Sequence, residues 1–160
     1  MEKQDLLNSL REKGFSEKIL DAFSKVKRED FIPKNIKAMA YEDTALPIGH
    51  GQTISQPYTI SVMLSLLDLK RGQKVLEIGS GCGYVLALLS EIVGEQGKVY
   101  GLEVVKELAE KSKKNLGKYD NIKVYNRNGS KGLPEKAPFD SIIISAAMRN
   151  IPEEIMSQLK

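Results

Sequence analysis

The sequence has one cysteine, Cys82, and one histidine, His50, among its 160 residues. A lone thiol forms no internal disulfide, which fits a reducing compartment and a cytoplasmic setting. One imidazole and one thiol, far apart in the chain, build no metal site by themselves. No carboxylate cluster has the spacing to add one, so no metal is expected. Long apolar runs are also missing. The densest, around Ile142-Ile143-Ile144, is far too short to span a bilayer, and Met1-Glu2-Lys3-Gln4-Asp5 lacks the apolar stretch of a secretory signal. No membrane partner is expected. The net charge is only +3, with both signs scattered and no basic block, so nucleic acid is not an expected partner either. There is no internal repeat and no low-complexity segment.

What remains is an ordinary globular composition, 41% apolar and 28% charged, at a length suited to one domain, expected to act as a monomer. Leu6, Leu7 and Leu10 share one helical face over residues 5–13, and Gly14 ends that helix. Ser16 opens a second helix carrying Ile19, Leu20, Phe23 and Val26. Residues 1–40 thus read as a helical cap. From Tyr41 to Pro57 the periodicity vanishes, and the sequence YEDTALPIGHGQTISQP predicts a shaped, functional loop rather than a regular element. Pro57 suits a first helical position, with Ile60, Met63, Leu64 and Leu67 following at helical spacing.

Residues 58–160 alternate between two periods. Strands are expected at KVLEI (74–78), KVYGLE (98–103), IKVYN (122–126) and SIIIS (141–145). The last is apolar enough to be covered on both faces. Between the first two lies a helix with Val85, Leu88, Leu89 and Ile92 on its stripe. A second, with Val105, Leu108, Ala109, Ser112 and Leu116, joins the next pair, and Pro152 opens a final helix. This alternation specifies an α/β fold with a doubly wound, mostly parallel sheet of order 3-2-1-4. The ligand crevice then lies beside the first strand.

The chemistry concentrates at that crevice. Glu77-Ile78-Gly79-Ser80-Gly81-Cys82-Gly83 joins strand to helix with spacing G-x-G-x-G, not the dinucleotide fingerprint G-x-G-x-x-G. Glycines there let a ligand approach the backbone. Glu77 would repel a phosphate but attract the ammonium of an amino acid, such as that of S-adenosylmethionine. Glu103 ends the second strand, where a carboxylate can accept both hydroxyls of a ribose; alone it would read as an exposed acid at a helix start. Asn128-Gly129 follows the third strand, where an amide could meet an adenine edge, although Asn-Gly by itself is a turn pair. Ser145-Ala146-Ala147-Met148 ends the fourth strand and lacks the Asn/Asp-Pro-Pro-aromatic motif of enzymes that methylate base amines.

The stretch from Tyr41-Glu42-Asp43 through Leu46-Pro47-Ile48-Gly49-His50-Gly51-Gln52-Thr53-Ile54-Ser55-Gln56-Pro57 is more specific. With Val75-Leu76-Glu77-Ile78-Gly79 and Pro134-Glu135-Lys136-Ala137-Pro138-Phe139-Asp140, it closely resembles the protein-L-isoaspartate (D-aspartate) O-methyltransferase family, from the first helix to the last residue. The resemblance implies a Rossmann-like class I methyltransferase. It would use S-adenosyl-L-methionine to methylate the α-carboxylate of L-isoaspartyl and D-aspartyl residues in damaged proteins. It assigns Ser55 the active-site role, places Gln52, Thr53 and Ile54 on the cofactor and substrate side, gives Gly79, Ser80, Gly81 and Gly83 the methionine part, and gives Glu103 the ribose. Without that resemblance Ser55, or Thr53, could merely cap the helix after Pro57. His50 is expected to pack or hydrogen-bond within the loop, and Cys82 to fill space.

Two departures from the family pattern stand out. Asn128 replaces the usual aspartate, which predicts weaker donor binding. Family members also continue past Lys160 with three further strands, so the chain reads as a C-terminally truncated form lacking its last strands, with the fourth strand at an edge. The competing expectation is a non-catalytic S-adenosylmethionine-binding or interaction module.

Overall fold

A computed structural model describes all residues, 1–160. Two helices, α1 (Lys3–Glu12) and α2 (Glu17–Lys25), open the chain. They bury Leu6, Leu7 and Leu10 in the first, and Ile19, Leu20, Ala22 and Phe23 in the second. Two short 3-10 segments, Arg28–Asp30 and Lys34–Met39, lead into the loop.

That loop is not wholly irregular, which corrects the sequence expectation. It contains an antiparallel hairpin, β1 (Leu46–Gly49) and β2 (Gln52–Ile54), with Leu46 opposite Ile54. Strands of four and three residues carry too little alternation to register as a period. The turn is His50-Gly51, with φ of 56° and 70°. Positive φ at both central residues matches the twist of the flanking strands. His50 is exposed and its ring makes no hydrogen bond, so it serves as a turn residue rather than a packing or bonding one. Leu46, Ile48 and Ile54 point into the core.

Helix α3 (Pro57–Leu67) starts with proline at the expected position. Its N-cap is Gln56, and neither Ser55 nor Thr53 caps it. Asp43 does so from a distance, accepting a hydrogen bond from the Tyr58 N–H at 2.9 Å. Of the predicted stripe, Ile60 and Leu64 are fully buried and Met63 and Leu67 partly so.

Four parallel strands form the sheet: β3 (Lys74–Ile78), β4 (Lys98–Glu103), β5 (Ile122–Asn126) and β6 (Ser141–Ile144). Their order is β5-β4-β3-β6, the expected 3-2-1-4. Helix α4 (Tyr84–Val93) connects β3 to β4, and α5 (Lys106–Asn115) connects β4 to β5. Alternate residues feed two cores. Val75, Val99 and Ile143 join a large cluster with α1 to α5. Leu76, Ile78, Tyr100 and Leu102 join a smaller one with Leu133, Phe139 and Ile155, the last from α6 (Glu153–Met156). The α4 stripe is wider than predicted, because α2 and the following segment cover its outer side. Tyr84 meets Phe23 and Phe31 edge-on, with ring centroids 6.2 and 5.5 Å away. At the sheet edge, β6 is less covered than its composition suggested: Ile143 is buried, but Ile142 and Ile144 are only half-buried.

No helix is long and apolar enough to cross a membrane.

Candidate functional site

Parallel strands end at the same side of a sheet, so the turns after Ile78, Glu103, Asn126 and Ile144 form one rim. The glycine turn after β3 lies at its centre. It is tied to the neighbouring strand by Gly79 and Ser80 N–H groups, which both donate to the Leu102 carbonyl at 2.8 and 3.0 Å. Two of its glycines are obligatory on steric grounds. Gly79 has φ +82°, and a Cβ there would stand 2.7 Å from Ala146 Cβ. Gly83, at φ +91°, would press a Cβ to 2.8 Å from Leu116 Cδ1.

The hairpin closes over this turn. A small pocket is lined by Thr53, Ile54 and Ser55 from the hairpin and its exit, and by Glu77, Gly79, Ser80 and Gly81 from the strand end and glycine turn. Ser145 completes it from just past the end of β6, and Cys82, Tyr84 and Val85 also line it. Seven of the sequence-predicted residues therefore converge.

Five do not line the pocket. Gln52 is exposed on β2, and Gly83 serves as the N-cap of α4. Gly129 lets the turn after β5 lie against β3, where a Cβ would be 2.3 Å from Ile78 Cγ2. Asn128 is exposed, and its Oδ1 accepts from the Ser130 N–H at 2.9 Å, so the amide is engaged as a turn cap. Glu103 is buried, not an exposed acid at a helix start. Its Oε1 accepts from the Gly81 N–H at 2.8 Å, and its Oε2 from the Val105 N–H at 2.9 Å. Glu103 thus holds the glycine turn in shape, a role its spacing did not reveal. Each carboxylate oxygen keeps a second acceptor site for a ribose hydroxyl.

Glu77 is the electrostatic centre. It is 1% exposed, and burial pushes its pKa up to about 8. The Ser145 hydroxyl opposes that shift by donating to Oε2 at 2.7 Å, while the charge of Glu103 adds to it. Oε1 has no partner, and neither does the buried hydroxyl of Ser80. An unpaired buried oxygen costs free energy until a donor arrives. Sequence reasoning missed Ser145, reading that strand end only for the motif it lacks; its position just beyond a central strand was the available signal. The Cys82 thiol is buried and pushed up to about 11 by desolvation, so it stays neutral and fills space.

These features fit S-adenosylmethionine. Glu77 Oε1 could accept from its ammonium, the glycine turn would allow its amino-acid part close approach to the backbone, and Glu103 keeps acceptor sites that a ribose could use. Sheet order, glycine turn and acidic strand ends define a Rossmann-like, S-adenosylmethionine-dependent methyltransferase. The model of the protein-L-isoaspartate(D-aspartate) O-methyltransferase family matches residues 1–160, and the chain belongs to that family. It is 46% identical over 162 aligned residues to the protein-L-isoaspartate O-methyltransferase of Methanothrix thermoacetophila, covering all of this chain and 77% of that protein. A solved protein-L-isoaspartate O-methyltransferase superposes with a TM-score of 0.94 at 32% identity, over 99% of this chain. This chain spans about half (52%) of that one. A Plasmodium falciparum relative in complex with S-adenosyl-L-homocysteine superposes at 0.87 with 27% identity, covering 100% of this chain and 80% of its own.

Proposed function

We propose that this protein is a repair enzyme that transfers a methyl group from S-adenosylmethionine to the α-carboxylate of L-isoaspartyl and D-aspartyl residues in damaged proteins. One observation carries the reading: Glu77, with its orphaned oxygen, and Ser55, with its unbonded hydroxyl, line a single pocket. The first suits the donor's ammonium and the second an acceptor's carboxylate.

When bound, the donor supplies a sulfonium-activated methyl; the acceptor oxygen forms the new bond to carbon as the carbon–sulfur bond breaks. A carboxylate is already ionised at neutral pH, so no general base is required. The chain's task is orientation and exclusion of water. Glu77, Gly79, Ser80 and Gly81 seat the amino-acid part. Glu103 keeps the glycine turn in place and offers its free lone pairs to the ribose. Asn128 and Gly129, in the turn just past β5, belong to the adenine side. Ser55 is half-buried, and its hydroxyl makes no hydrogen bond within the protein, which leaves it free to donate to the acceptor. Thr53 and Ile54 wall the same side, and Gln52 flanks them on the exposed face of the hairpin. The proposal includes action as a cytoplasmic monomer, independent of membrane or nucleic acid. The single buried thiol and mild net charge support that part.

Transfer of labelled methyl to an isoaspartyl peptide, with the matching aspartyl peptide as control, tests the proposal. Label in the first alone is the expected outcome. Donor binding without transfer would overturn it in favour of a non-catalytic binding module.

A further inference from the structure

Arg28 is among the most deeply buried side chains of the protein, with no solvent exposure, yet no carboxylate forms an ion pair with it. Its guanidinium instead donates to four backbone carbonyls. One terminal nitrogen reaches Ala40 at 2.8 Å and Glu42 at 3.2 Å. The other reaches Thr44 at 2.9 Å and Ser55 at 3.0 Å. Three of these carbonyls lie within residues 40–44, where the chain enters the loop, and the fourth belongs to a serine that lines the pocket. A planar fork with fixed donor directions holds several acceptors in one geometry, which an ammonium on a flexible stem does not.

The Ser55 side chain has no intramolecular hydrogen bond of its own, so within its choice of rotamers it is placed by its backbone. That backbone is anchored at three places. Ile54 is buried in the core, Pro57 starts α3, and the carbonyl between them is held by Arg28. Desolvating a cation is costly and is tolerated where its hydrogen bonds compensate. Here the two terminal nitrogens spend theirs on the loop that carries the hairpin, while the buried Nε has no partner.

We infer that Arg28 is a positioning residue for the methyl acceptor: by clamping the carbonyls of Ala40, Glu42, Thr44 and Ser55 it aims the Ser55 hydroxyl into the pocket. The inference rests on the proposed reaction, but it concerns one side of the pocket only. The donor side is built from β3, β4 and the glycine turn, none of which Arg28 bonds.

The test uses the full chain with Arg28→Met and Arg28→Lys, the second keeping a cation where the first fails to fold. S-adenosylmethionine affinity by calorimetry is expected to stay within about threefold of the parent. The kcat/KM for an isoaspartyl peptide is expected to fall about 100-fold in Arg28→Met and about 10-fold in Arg28→Lys. Amide hydrogen exchange gives a readout that needs no turnover: residues 42–56 should exchange faster in both variants, while 79–83 stay protected. Unchanged acceptor kinetics, or loss of donor and acceptor function in equal measure, would overturn the inference. So would unchanged exchange over 42–56, even if the parent proved inactive on the peptide. Absence of transfer by the parent protein would instead refute the proposed reaction.

Discussion

Ser145, just past the end of β6, donates its hydroxyl hydrogen to Oε2 of Glu77 on the adjacent β3, at 2.7 Å. The bond immobilises one carboxylate oxygen of this pocket-lining residue and leaves the other without a partner. A rim that looks like loops is therefore fastened strand to strand. The donor's ammonium would meet an oxygen already in place. Preorganisation of this kind saves ordering cost on binding.

The first prediction concerns pH. Glu77 has its pKa raised to about 8 from an ordinary 4.5, so between those values the folded chain keeps a proton that the unfolded chain gives up. The associated stability is fully present below pH 4.5 and is lost as pH rises through about 8. Glu77→Gln carries no such dependence and keeps an acceptor for Ser145. The melting temperature of the variant should therefore gain on that of the parent as pH rises from about 5 to about 9. Parallel curves would refute the assignment.

Donor binding should also release a proton near neutral pH, because an ammonium beside Glu77 favours the ionised carboxylate. Calorimetric titration of S-adenosylmethionine in two buffers of different ionisation enthalpy measures this directly. Equal apparent enthalpies in the two buffers would count against it.

Ser145→Ala removes a hydrogen bond to a charged acceptor, a loss of about 1.5–3 kcal/mol once Glu77 is ionised, or about 10- to 100-fold in donor affinity. The Ser145 donation also lowers the Glu77 pKa, so the variant should shift the stability change described above to higher pH. Ser145→Thr keeps the hydroxyl and should restore most of the affinity.

Glu103→Ala leaves the N–H groups of Gly81 and Val105 without their acceptor, at about 1–3 kcal/mol each where they are buried. The melting temperature should fall together with donor affinity. Glu103→Gln keeps one acceptor oxygen and should recover part of both. A fall in affinity with no change in stability would limit Glu103 to ligand contact.

At Asn128 the turn-capping bond to Ser130 needs only an acceptor oxygen, which aspartate also supplies. Asn128→Asp should therefore preserve the turn and raise donor affinity several-fold through a charged acceptor. Equal affinity measured side by side would remove the explanation of that departure from the family pattern.

The parallel sheet was legible because each strand is a compact apolar run bounded by turn residues. Lys74–Ile78, Lys98–Glu103 and Ile122–Asn126 have the limits their sequence suggested. The pocket was half legible. Glycines and acids at strand ends announce a ligand edge, whereas the double backbone bond of Glu103 depends on how the following turn folds back. Arg28 was invisible, since an arginine beside Glu29 and Asp30 reads as surface charge until tertiary packing removes it from water. The hairpin escaped because its strands are shorter than any period that could reveal them.

Helix α4 is enclosed on its outer side by α2 and the Phe31 segment, with Tyr84, its first residue, wedged against two phenylalanine rings. Peeling the amino-terminal helices away would wet the element that immediately follows the glycine turn. Thermal melting should consequently erase both halves of the catalytic cleft in one transition, with no populated species that still grips its cosubstrate after shedding the amino-terminal lobe.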